Sequence, residues 1–128
     1  MIILKKGKYK QLSENLNQRE VDCRCIREDC TFTIMSKSLI IAFQELRASC
    51  GNRALRINSG FRCQKHNEQI GGAIDSRHKM GHAIDISGVN QMDIEEFGYR
   101  ARNIFDLVIV YKDLNFIHCH QEPFKFTK

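Results

Sequence analysis

The run Ser76-Arg77-His78-Lys79-Met80-Gly81-His82-Ala83-Ile84-Asp85 decides how this chain is read. It sets His78 and Asp85 seven residues apart, and a further metal-type residue, His118, follows downstream. Two imidazole nitrogens and one carboxylate oxygen form the donor set of a catalytic zinc site whose fourth position is left to water. The three residues therefore point to a small zinc hydrolase. Spacing alone is weak evidence, because a chain with 5 His and 15 acidic residues will set such a pair seven apart by chance. The wording around the pair carries the rest.

That wording resembles the zinc D-Ala-D-Ala carboxypeptidases, D,D-dipeptidases and L-alanyl-D-glutamate endopeptidases, whose metal motif is S-x-H-x-x-G-x-A-x-D. Ser76, His78, Gly81, Ala83 and Asp85 fill its fixed positions. Upstream, Ile57-Asn58-Ser59-Gly60-Phe61-Arg62 is similar to the family's S-G-[YF]-R element, and His66-Asn67 with Gly71-Gly72-Ala73 to its H-N-x-x-x-G-G-A continuation. Downstream, Asn115-Phe116-Ile117-His118 is similar to its aromatic-apolar-His ending. The resemblance implies an α+β fold of the hedgehog/DD-peptidase type, a small antiparallel sheet packed on helices. It further implies a zinc ion held by His78, Asp85 and His118, and a substrate drawn from the peptide stems of bacterial peptidoglycan, at bonds involving D-amino acids.

The periodicity of the chain supports such a fold. Residues 1 to about 20 are basic and polar with weak periodicity and read as an arm or a loosely packed edge, followed by a Cys-rich loop over 21–32. Leu39, Ile40, Phe43, Leu46 and Cys50 recur at helical steps, predicting a core helix from about Thr33 or Ser36 to Cys50, with Gly51 as its stop. Residues 54–58 alternate apolar and polar and read as a strand that brings Arg62 to the rim of a sheet. A short helix over 64–70, a strand over 82–86 carrying Asp85, and a helix from Gln91 to about Asn103 follow. Leu107-Val108-Ile109-Val110-Tyr111 reads as a buried strand, paired through the turn Lys112-Asp113-Leu114-Asn115 with a last strand over 116–120. Short strands from distant parts of the chain, packed on helices, make an α+β domain.

Composition bounds the alternatives. A chain of 128 residues with 42% hydrophobic and 27% charged residues and one proline is ordinary for a single soluble domain. No apolar stretch approaches the roughly 20 residues of a membrane span. Met1-Ile2-Ile3-Leu4-Lys5-Lys6 puts its apolar residues before its basic ones, unlike a secretion signal, so synthesis into the cytoplasm is expected. Together with this size, the resemblance implies a phage lysis or entry enzyme, or a small bacterial cell-wall enzyme. The net charge of +5 favours an anionic partner, either cell wall or nucleic acid. Only Lys5, Lys6, Lys8 and Lys10 cluster, beside Tyr9, which is thin support for nucleic-acid binding.

Six cysteines without a secretion signal argue for thiols or metal ligands ahead of a disulfide framework. Cys23, Cys25 and Cys30 in the loop and Cys63 after the S-G-F-R element would close a tetrahedral structural zinc site, with a bridge or free thiols as the alternatives. Cys50 and Cys119 read as small buried hydrophobes.

Amide hydrolysis at the first site also requires a cation for the oxyanion and a base for the water's proton. By the resemblance Arg62 is the cation, and Ser76 either contacts the substrate main chain or serves a structural turn. The base is where the chain departs from the family pattern, which often places an acid at the position of Asn115, or at the end of an upstream strand where Tyr111 stands. Asp113 and His120 are the remaining candidates. His120, two residues beyond His118 on one strand face, is also a possible fourth ligand or a replacement for His118. His66 reads as a hydrogen-bonding loop residue and His82 as a surface or pocket-lining one. The missing acid leaves a rival reading, a catalytically silent zinc domain that binds a peptide or protein, as the hedgehog signalling domain does on a similar fold.

Overall fold

The computed structural model describes residues 1–88 and 92–122. Its centre is a four-stranded antiparallel sheet made of β5 (Arg56–Ser59), β6 (Ala83–Ser87), β7 (Leu107–Tyr111) and β8 (Phe116–His120), in the order β5-β6-β8-β7. Alternation along a strand gives each face its own residues. Ile84 and Ile86 of β6 pair with Cys119 and Ile117 of β8, and all four are fully buried. Asp85 pairs with His118, and Ala83 with His120, so the carboxylate and the two histidines point away from the core.

The buried face packs on two helices. In α2 (Lys37–Ser49), Leu39, Ile40, Ala42, Phe43 and Leu46 turn inward, and in α4 (Ile94–Arg102), Ile94, Phe97 and Ala101 do so. Cys50 and Cys119 belong to this core, as small apolar side chains. The expected start of the second helix at Gln91 lies outside the described residues. The architecture is the α+β arrangement expected.

Several elements differ from the sequence reading. Thr33 does not open α2. It sits in β4 (Phe32–Met35), where its β-branched side chain and that of Ile34 suit an extended chain, and α2 starts only after Ser36. The partner of β4 is β1 (Ile2–Lys5), in the register Ile2↔Met35 to Lys5↔Phe32. Residues 1–20 are therefore no free arm. After β1 come a hairpin of β2 (Gln11–Ser13) and β3 (Leu16–Asn17) and a single helical turn, α1 (Gln18–Val21). Leu16, Gln18 and Val21 are fully buried. Gln18 donates to the Lys5 carbonyl and to Asp22, whose other contacts are the Thr33 hydroxyl and the Gly7 N–H. These polar bonds order a segment whose weak periodicity hid its structure.

The apolar run of β7 is not a buried strand either. β8 is its one neighbour in the sheet, which leaves β7 at the edge with Leu107, Ile109 and Tyr111 about 40% exposed. The exposed residues share the face of His118 and His120, since Ile109 pairs with His118 and Leu107 with His120. His82, expected at a surface or pocket, carries on the parity of Ile84 and Ile86 and is buried. Neither of its ring nitrogens has a hydrogen-bond partner among the described residues. Burial lowers its pKa below the ordinary histidine value.

Because Ile84 anchors the core face of the strand that carries Asp85, Ile84→Ala should cost about 2–5 kcal/mol. Urea unfolding of the metal-free protein measures it. A loss well under 1 kcal/mol, the size expected of an exposed site, would contradict this placement.

Candidate metal centre

Local structure delivers His78 to the face that Asp85 and His118 already occupy. A 3-10 turn, Arg77–Met80, begins at Ser76, whose hydroxyl accepts the His78 N–H at 3.2 Å. The observed contact of Ser76 is thus that of a turn-capping serine. The turn ends at Gly81, in the left-handed conformation with φ 72°. A side chain at Gly81 would also collide with the Ile34 carbonyl, so glycine is required twice over. Gly60 approaches just as closely, its Cα packed on the Val21 backbone. That approach brings the Gly60 carbonyl 2.7 Å from His78 Nδ1. Nδ1 therefore carries the proton and Nε2 is left facing the site, the usual way in which a backbone carbonyl orients a metal-binding imidazole.

His78 Nε2 lies 3.2 Å from Asp85 Oδ1, and His118 Nδ1 lies 2.9 Å from the same oxygen. One donor atom from each of the three residues falls within 4.8 Å of the others. Ligands at about 2.05 Å around a tetrahedral zinc stand about 3.3 Å apart, close to these separations. The donor set fits a divalent metal of intermediate softness, with His78 Nε2, Asp85 Oδ1 and His118 Nδ1 as ligands. His120 contributes no atom to the cluster. Its ring centroid is 6.2 Å from that of His118, so three side chains converge and the fourth direction is not taken by His120. This arrangement favours His118 over His120 as the third ligand.

The remaining groups surround this core. Arg62 Nη2 is 3.4 Å from Asp85 Oδ2, the carboxylate oxygen that the imidazoles do not use. Its Nε donates to the Ser59 hydroxyl at 3.2 Å and its Nη1 to Asn67 Oδ1 at 3.3 Å, which fix the plane of the guanidinium. Burial lowers the Arg62 pKa while Asp85 works against that shift, and a guanidinium stays charged throughout. Burial likewise pushes the Asp85 carboxyl up, but the His118 and His78 imidazoles set against it prevail and hold it well below the usual carboxylate range.

Asn67, in α3 (Gln64–Gln69), reads in the sequence only as part of the H-N element, with no role of its own. It is buried, and its Nδ2 donates to the Ala73 carbonyl at 2.8 Å. The loop-supporting part expected of His66 falls to this neighbour, since the His66 ring makes no hydrogen bond among the described residues. Glu122 was also missed. Its Oε1 lies 3.5 Å from His120 Nε2 and 3.0 Å from Arg77 Nε. The period-two run 118, 120, 122 was the signal available for it. Asp113 stands exposed on the 3-10 turn Lys112–Leu114, and no hydrogen bond or ion pair among the described residues joins it to the three donors. Asn115 ends that turn with φ 56°, a left-handed conformation that asparagine tolerates, and its service there is conformational. Tyr111 stacks on Phe116 with ring centroids 4.8 Å apart. A cavity of about 240 Å³ opens beside Arg62, with Phe32, Ile34, Phe61, Gln64 and Lys79 in its walls.

The Peptidase M15 family model matches residues 14–120, a span that takes in the cysteine loop, the three donors and His120. The chain belongs to the peptidase M15 family. A zinc D-Ala-D-Ala carboxypeptidase of Streptomyces albus G is 40% identical to it over 48 residues, which are 38% of this chain and 19% of that protein. The chain thus matches less than a quarter of that relative. Within the M15 frame, the geometry predicts that Asp85→Ala and His78→Ala each remove about one bound metal ion per chain, whereas His120→Ala keeps it. Elemental analysis of the purified variants checks this. Loss of the ion in His120→Ala with retention in a His118→Ala variant would reverse the ligand assignment.

Proposed function

We propose that this chain is a zinc-dependent peptidase that cleaves the stem peptides of bacterial peptidoglycan at bonds involving D-amino acids. One observation carries the reading: His78, Asp85 and His118 converge on one point with no fourth His, Cys, Asp or Glu ligand beside them among the described residues, and Arg62 sits against the outer oxygen of Asp85. Zinc bound there would supply a Lewis acid and a water acidified to near neutrality.

The protein's own groups have separate tasks. Asp85 is kept ionised by its neighbours, so it is ready as a ligand at any ordinary pH. Arg62, fixed by Ser59, Asn67 and Asp85, presents a partly buried positive charge to the oxygen that becomes anionic as the amide carbonyl is attacked. His120 faces the same side of the sheet and serves as the base. With Nε2 turned to Glu122, Nδ1 is the nitrogen free to take a proton. Glu122 orients that ring, and Arg77 holds Glu122. Burial lowers the His120 pKa while Glu122 raises it, so the imidazole is neutral at pH 7 and able to accept. The exposed side chains of Leu107 and Ile109 form an apolar shelf next to the histidines, suited to the alanine-type side chains of a stem peptide.

The substrate class is supported by family membership and by the carboxypeptidase of Streptomyces albus G, and the net charge of +5 suits an anionic wall. The exposed position of Asp113 and the amide at Asn115 favour a second reading, a zinc domain that binds a peptide without cutting it.

Incubation with purified peptidoglycan, read by mass spectrometry of the soluble fragments, separates the two. Metal-dependent release of defined stem peptides is the expected result, and Arg62→Ala should retain metal yet lose about 10²–10³ in kcat. No release from several wall types by a folded, zinc-loaded sample would leave the binding reading. The acid limb of the kcat/KM profile should lie below the ordinary histidine value of about 6.5. Because Glu122 raises the His120 pKa, Glu122→Gln should move that limb to lower pH, and an unmoved limb would remove His120 as the base.

A further inference from the structure

A second cluster of metal-type side chains stands apart from His78, Asp85 and His118. Cys23, Cys25, Cys30 and Cys63 place their four Sγ atoms within 4.8 Å of one another, and all are free thiols. Cys23 Sγ and Cys25 Sγ each lie 3.8 Å from Cys63 Sγ. Thiolates bound tetrahedrally to one zinc at about 2.3 Å stand about 3.8 Å apart, so these two separations already match that tetrahedron and the rest lie within about 1 Å of it or closer.

The surroundings fit anionic sulfur. The Cys63 N–H lies 3.4 Å from Cys23 Sγ, and the His66 N–H lies 3.4 Å from Cys63 Sγ. Lys6 reaches over the cluster, with Nζ 3.0 Å from the Cys25 carbonyl, 3.5 Å from Cys30 Sγ and 3.8 Å from Cys25 Sγ. Its backbone is fixed in turn, Lys6 N–H donating to the Thr31 carbonyl at 2.9 Å and Gly7 N–H to Asp22 at 3.0 Å. A lysine held against two of the sulfurs is placed for charge, since four thiolates around a divalent ion leave net negative charge.

The fold also has a use for such a cross-link. Residues 22–31 form neither helix nor strand, yet Cys23 and Cys30 are buried there. Together with Phe61 they make a small core separate from the main one, flanked by Cys25, Ile34 and Cys63. Three buried side chains release too little free energy on burial to order an irregular segment of this length, whereas a structural zinc site converts metal affinity directly into folding free energy.

We propose that Cys23, Cys25, Cys30 and Cys63 hold a second, structural zinc ion in a closed tetrathiolate site, with Lys6 as its counter-cation. Its four protein ligands leave no position for water, so the ion fastens structure and does no chemistry. It ties the N-terminal layer of β1 and β4 to the segment after β5. Because Cys63 directly follows Arg62, it also anchors the backbone from which the guanidinium reaches Asp85.

Elemental analysis of protein purified under reducing conditions should find about two zinc ions per chain, falling by about one in Cys25→Ser and, independently, by about one in His78→Ala. Each site is then read in the variant that lacks the other, so failure at one is not mistaken for failure at the other. Cobalt(II) substitution of the unaltered chain needs no variant to fold. It should give thiolate-to-cobalt charge-transfer absorption, which ligands of the His and Asp type cannot produce. Lys6→Gln should release metal from the cysteine site more readily to a chelator and leave the other ion in place. Wild-type zinc content unchanged by Cys25→Ser, a cobalt spectrum without the charge-transfer band, or an intact mass showing these cysteines paired as disulfides would overturn the proposal.

Discussion

The carboxylate of Asp85 is the point on which the site depends. One oxygen is shared between two imidazoles and the other is held by a guanidinium, so three separate stretches of chain meet at one side chain. Their arrival follows from the sheet. Asp85 lies on β6, an interior strand, with Ser59 opposite on one side and His118 on the other. Ile84 and Ile86 hold that strand from beneath. Any shift of its register by one residue would exchange the core face for the one that carries Asp85. Stability and ligand geometry are thus set by the same alternation.

Support around the carboxylate comes from backbone more than from side chains. The Gly60 carbonyl selects the His78 tautomer, and it can do so only because Gly60 packs against the Val21 backbone without a side chain in between. Gly81 turns the chain from the 3-10 turn into β6. The Arg62 N–H donates to the His78 carbonyl at 3.1 Å, so the segments carrying the cation and the ligand are joined by main chain as well. A site assembled in this way is rigid before any metal arrives, which lowers the ordering cost of binding one.

Much of this was legible in the sequence because the residues concerned are rare and their spacing is strict. The run from Ser76 to Asp85 names two of the three donors that converge and the glycine between them, and the alternation around Asp85 gives its strand. What escaped was set by distant partners. Thr33 and Ile34 look like the start of α2 until Ile2 to Leu4 pair with them, and a single sequence does not show that pairing. The run Leu107–Tyr111 is apolar throughout, and period alone cannot tell a buried strand from an edge strand whose exposed side chains flank a site. Asn67 carries the polar support because its position in α3 aims it inward, where His66 beside it is turned aside. The four cysteines were visible as a set. Their common point was not, since Cys63 stands 40 residues from Cys23 and only the fold brings them together.

The most direct test of this account is a crystal structure of the zinc-loaded protein with anomalous data at the zinc edge. The account predicts a peak bonded to His78 Nε2, Asp85 Oδ1 and His118 Nδ1 at about 2.0–2.2 Å, with its fourth position open to solvent. A peak held by His120 in place of His118, or no peak within reach of Asp85, would contradict it.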